Sequence, residues 1–106
     1  MAWIYLVAAG LLEVAWAFAM KQSHGFTRLV PTAIMVAAMI GSFALLALAM
    51  RALPLGTAYT IWTGIGALGA FALGVAVLGE PASAGRLTAA ALILSGLVLM
   101  KLSSPG

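Results

Sequence analysis

Charged positions in this chain come at long intervals, and the intervals are its first structural signal. From Met1 to Met20 a single charged side chain, Glu13, interrupts an otherwise apolar run, and the runs Leu29 to Met50, Ala52 to Gly79 and Leu87 to Met100 carry none. No run shows sustained alternation of apolar and polar residues, which argues against strands, including those of a barrel. About 20 mostly apolar residues in a helix rising 1.5 Å each cross roughly 30 Å of hydrocarbon. Four spans fit that length, at about 2–21, 30–50, 56–78 and 85–102. The expected fold is all-α: one four-helix transmembrane domain occupying residues 1–106.

The breakers between the runs agree. Ser23, Gly25 and Thr27 interrupt after the first span, and Pro31 sits just inside the second, where its missing N–H does no harm. Residues 51–56 and 79–83 form short turns, so neighbouring helices run antiparallel. A cleaved leader is the alternative for the first span, with Ala17-Phe18-Ala19 imitating a cleavage site. The absence of Lys or Arg ahead of it, and Glu13 within the apolar stretch, favour a retained helix. In the third span, Gly69 and Gly74 read as close-packing positions. Gly64 and Gly66 fit packing equally well, and are also the candidates for a kink or hinge.

Composition narrows the class. The chain is 65% hydrophobic and 7% charged, with a mean hydropathy of +1.21, whereas a soluble domain carries about 25% charged residues. Lipid is therefore its solvent. With no Cys there is no disulfide, thiolate metal site or cysteine nucleophile, and the lone His24 cannot build a His cluster, so no metal and no cofactor are expected. Five Lys and Arg residues against two acids are too sparse for a nucleic-acid footprint. With one in-span carboxyl, no adjacent nucleophile–base pair and no cofactor fingerprint, the chain offers no catalytic residue and does not read as an enzyme.

The cations are almost evenly divided. With four spans, Lys21, Arg28 and Arg86 lie on one side and Arg51 and Lys101 on the other, nearly erasing the bias that orients membrane proteins. Either the rule is silent for so small a protein, or copies insert both ways up. Two opposed copies would pair as an antiparallel homodimer of dual topology, an eight-helix unit with the in-plane pseudo-symmetry that many transporters achieve by inverted repeats. All five cations also suit interfacial anchoring, Glu80 suits a solvated loop acid, and His24 a loop residue.

Glu13 is the candidate functional group. An acid at the bilayer centre costs roughly 2.5–3.5 kcal/mol on insertion scales, and Glu13 is too near mid-span to snorkel. It must face the protein interior or a watery cavity, as a transport group or as a protonated structural carboxyl. Helical spacing puts Leu6, Ala9, Gly10, Trp16, Ala17 and Met20 on its face, with Gly10 and Ala17 leaving room beside it. The second span offers Ser42, which either joins the site or bonds its own helix carbonyl. The third offers Thr57, Tyr59, Thr60, Trp62 and Thr63, with a lipid-facing Trp62 as the alternative there. Trp3 and Tyr5 read as interface-belt aromatics. A carboxylate, hydroxyls and aromatic faces together suit a small organic cation.

Leu12-Glu13-Val14-Ala15-Trp16-Ala17, Met20-Lys21, Gly25-Phe26-Thr27-Arg28 and the run from Pro54 to Gly66 resemble the small multidrug resistance transporters, over essentially the whole chain. Trp16-Ala17 and the run from Trp62 to Ala70 resemble the guanidinium-exporting branch. The resemblance implies a multi-pass protein of the bacterial plasma (inner) membrane, working as an antiparallel homodimer that exchanges protons for guanidinium. Glu13 would then be the shared proton and substrate carboxylate, with Trp16, Ser42, Tyr59 and Trp62 lining the site. Gly10 and Thr63 join that lining by helical position, and the family's dimer-packing glycines correspond to Ala89 and Gly96. Thr60 departs from the usual Ala, which keeps open a quaternary ammonium or multidrug substrate. A small accessory or pore-forming membrane protein is the remaining alternative.

Overall fold

The computed structural model describes residues 1–104. Four helices follow in chain order: α1 (Ala2–Gln22), α2 (Leu29–Ala49), α3 (Leu55–Ala76) and α4 (Ala84–Leu102). The all-α expectation holds, and each of the four helices is long and apolar enough to cross a membrane. The starts have local causes. Arg28 and Pro54 precede α2 and α3 in extended conformation. Ser83 caps α4, its hydroxyl accepting a hydrogen bond from the Arg86 N–H.

The first turn depends on Ser23. His24, Gly25 and Phe26 all have φ between 48° and 72°, a left-handed run that only Gly25 adopts without steric cost. Fully buried Ser23 offsets that cost. Its hydroxyl donates to the Met20 carbonyl at 2.7 Å and accepts from the Phe26 N–H at 3.0 Å, and its carbonyl accepts from the N–H groups of Thr27 and Arg28.

Helix α1 packs on α2 and α3, while α4 lies mainly against α3 and reaches α1 through Lys101 at the Trp3 ring. Leu6, Ala9, Leu46, Ala49, Ala58, Ile61 and Trp62, with Leu53 from the second turn, form the buried cluster, and α4 contributes no buried residue. Lipid supplies no hydrophobic drive between helices, so close approach of backbones must. A Cβ on Gly10 would lie 2.6 Å from Ile65 Cγ2, and Cβ atoms on Gly69 and Gly64 would run into Val14 and Leu97. Thus α3 lays one small-residue face against α1 and meets α4 at Gly64. It runs unbroken through Gly64 and Gly66.

Candidate functional site

Glu13 projects from mid-α1 onto the backbone of α3 at Gly66, where any Cβ would collide with its carboxylate. Gly66 is therefore the space that the carboxylate occupies. Glu13 Oε1 is buried without a hydrogen-bond partner among the described residues, and so is Nε1 of Trp16, one helical turn along. A buried acceptor and a buried donor, both unsatisfied, are costly in hydrocarbon. The Glu13 oxygen can accept from a ligand that carries N–H groups, and the Trp16 N–H can donate to an acceptor.

Beside them, three helices are tied by one polar chain. Fully buried Ser42 of α2 donates its hydroxyl proton to the Ala9 carbonyl of α1 at 2.6 Å, and its oxygen accepts from Trp62 Nε1 of α3 at 2.9 Å. Ser42 is thus committed between helices rather than to its own helix carbonyl. Trp62 is buried rather than lipid-facing, with 7% of its surface exposed. Its ring extends an aromatic series across the same helices. Trp16 meets Phe43 edge-on at 6.4 Å, Phe43 meets Trp62 at 5.8 Å, and Trp62 meets Tyr59 at 5.5 Å. These rings form walls over which a cation can be held.

The candidate residues divide into two groups. Glu13, Gly10, Trp16, Ser42, Trp62 and Gly66 converge on the α1–α2–α3 junction. Tyr59 and Thr63 instead line a groove of about 520 Å³ between α3 and α4, together with Thr60, Gly64 and Gly96. Tyr59 belongs to both groups through its contact with Trp62, and is half exposed. Gly96 has no atom within 4 Å of the position its Cβ would take, and Ala89 is exposed. Phe43 and the Ala9 carbonyl are additions that the sequence reading lacked. The available signal for Phe43 was that it is the one aromatic residue in α2. No group of three or more His, Cys, Asp or Glu side chains is placed to hold a metal among the described residues.

Glu80 is an exposed loop acid, as expected, and has two specific neighbours. Its carboxylate stands over Gly74 of α3 and lies 3.5 Å from Arg86 Nη2.

Comparison with known proteins gives a consistent assignment. The sequence model described as Small Multidrug Resistance protein matches residues 1–93. The guanidinium exporter of Escherichia coli (strain K12) is 58% identical over 104 residues, covering 98% of this chain and 99% of its own length. Those of Citrobacter freundii and Salmonella typhimurium are 57% identical with the same coverage.

Proposed function

The chain belongs to the Small Multidrug Resistance protein family, and from that membership we propose that it is a transporter rather than an enzyme: a proton-coupled exporter of guanidinium and related small guanidinyl cations, in the bacterial plasma membrane. The observation that carries the reading is Glu13 Oε1, buried without a hydrogen-bond partner among the described residues, on a carboxylate seated on Gly66. Guanidinium is flat and edged with N–H donors, matching a carboxylate in a two-pronged fork. The Phe43 ring beside Trp16, and the Trp62 ring beside Phe43, supply faces for it. The similarity to guanidinium exporters across nearly the full chain supports the same substrate.

The working unit is an antiparallel homodimer of dual topology. Three observations support it: the near-even division of cations between the two membrane faces, an α4 with no buried residue, and the open surface at Ala89 and Gly96. In this dimer two Glu13 side chains face each other. Burial and mutual repulsion both penalise the empty, doubly charged pair, so the pair holds either protons or the cation. If both carboxylates must be charged to hold one guanidinium, two protons exchange for each cation, and inward proton flow drives export. Two identical chains in different shapes that swap would expose the site alternately to each face at equal energy. Gly64 and Gly66 are the proposed hinge, since they allow α3 its closest approaches.

Competition dictates the sign of the pH dependence. Each proton that must leave before the cation binds weakens apparent affinity up to tenfold per unit fall in pH, and two protons up to a hundredfold. Guanidinium binding by the purified dimer, followed across a pH series, is expected to weaken as pH falls. Equal affinity at low and high pH overturns the shared-site mechanism. Transport of guanidinium against a bulky quaternary ammonium ion in proteoliposomes tests the substrate class, with guanidinium expected to be preferred.

A further inference from the structure

We propose that Glu80 is a gating residue: seated on Gly74 and held by Arg86, its carboxylate closes the outer end of a cavity that leads towards Glu13. The inference deepens the transport reading above and rests on it, since a cation released from Glu13 must leave towards one face at a time.

The cavity, of about 110 Å³, lies between the C-terminal halves of α1 and α3. Its walls include Ala17, Lys21, Ala70, Gly74 and Glu80. Ala17 is one helical turn beyond Glu13, and Ala70 one turn beyond Gly66, on which the Glu13 carboxylate rests. The inner end of the cavity therefore begins about 6 Å along the helix axes from the level of Glu13 and Gly66. Its outer end is at Glu80.

Glu80 does not hang loose there. Gly79 reverses the chain with φ 72°, and the Glu80 N–H donates to the Gly74 carbonyl at 2.9 Å. The carboxylate occupies the place a Gly74 Cβ would take. Arg86 holds it from outside: Nη2 lies 3.5 Å from Glu80 Oε1, Nη1 donates to the Pro81 carbonyl at 2.8 Å, and the guanidinium stands 5.2 Å from the centroid of the Phe71 ring. A merely solvated loop acid needs neither the inward turn nor the glycine seat. Both groups are about 40% exposed, and exposed ion pairs are weak. A weak pair is what a gate requires, because it must release in every cycle. Glu80 is also the one acid at a mouth otherwise flanked by Lys21 and Arg86, so it lowers the repulsion that a departing cation meets there.

The chain contains no Cys, so one introduced by Ala70→Cys reports on the cavity alone. The measurement is its rate of modification by a small charged thiol reagent, in the full-length dimer in proteoliposomes, with guanidinium binding followed in parallel. Glu80→Gln removes the charge and keeps the shape, Gly74→Ala blocks the seat and keeps both charges, and Arg86→Gln removes the outer hold. Each is expected to raise the modification rate about fivefold, in line with a weak exposed ion pair, and to leave guanidinium affinity within about twofold. Arg86→Lys, which keeps the charge, is expected to stay near the parental rate. Parental rates in both Glu80→Gln and Gly74→Ala, or equal acceleration by Arg86→Lys and Arg86→Gln, overturn the gate. Failure of the parent to bind guanidinium would instead strike the transport reading, and the modification rates would still report on the latch.

Discussion

The α1–α2–α3 side of the molecule and the α4 side are built from similar apolar sequence, yet they are held in different ways. On the first side, three helices meet through directional contacts: Ser42 between Ala9 and Trp62, Glu13 on Gly66, Gly10 against Ile65 and Val14 against Gly69. On the second, α4 leans on α3 through Leu97 at Gly64, and Lys101 reaches the Trp3 ring at 4.4 Å, with nothing in between fully buried. Where every neighbour is as apolar as lipid, a helix is fixed by small residues and hydrogen bonds rather than by greasiness. The first side has both and holds the proposed binding site. The second has its small residues, Ala89 and Gly96, turned to an open surface, which suits a second copy of the chain.

The sharpest way to break this contrast is Gly66→Val. Its side chain must take space now held by the Glu13 carboxylate. Displacing a binding group by about 1 Å can cost on the order of 100-fold, so guanidinium affinity should fall by about that factor while dimer formation persists. A dimer lost together with binding would mean that the two sides are not separable. Gly96→Leu is the counterpart on α4, where the monomer leaves its Cβ position open. Overpacking costs about 1–3 kcal/mol, so dimer dissociation should rise roughly tenfold while helix content stays the same. Unchanged dissociation, measured by single-molecule photobleaching in dilute liposomes, would move the interface elsewhere.

Ser42→Ala and Trp62→Phe sharpen the first side further. Each removes one end of the bond at 2.9 Å, and interhelical hydrogen bonds in membranes average about 0.6 kcal/mol and reach about 1.7. A double-mutant cycle on unfolding should give a coupling of about 1 kcal/mol, and a coupling of zero would remove Ser42 as the tie between the helices. The smallest effect belongs to Leu94→Ala, on an α4 face more than half exposed and turned away from Gly96. Its expected change in both folding and dimer stability is within about 0.5 kcal/mol; a larger loss would show that α4 has a second packed face.

Much of the candidate site was legible because its signals are local. A lone acid in an apolar run, a hydroxyl in a charge-free helix and a cluster of aromatics and threonines stand out one position at a time. What stayed hidden depends on how helices face one another. Ser42 fitted both an intrahelical and a site role, and only its placement between Ala9 and Trp62 separates them. Phe43 follows Ser42 directly and is about half exposed, so helical position alone did not mark it as the ring between Trp16 and Trp62. Glu80 is exposed, as read, but nothing in the chain's order announces its seat on a glycine six residues earlier.

By itself, the order of residues determined the four helices and their apolar character, the single buried carboxyl and the family, because helix length against bilayer thickness and the cost of a charge in hydrocarbon act on each segment separately. Only the tertiary structure decided which glycine makes room for which side chain, that Ser42 joins three helices and that α4 holds no buried residue. Those outcomes depend on distances between segments far apart in the chain, and in an apolar solvent such distances are set by steric fit and hydrogen-bond geometry, which hydropathy does not encode.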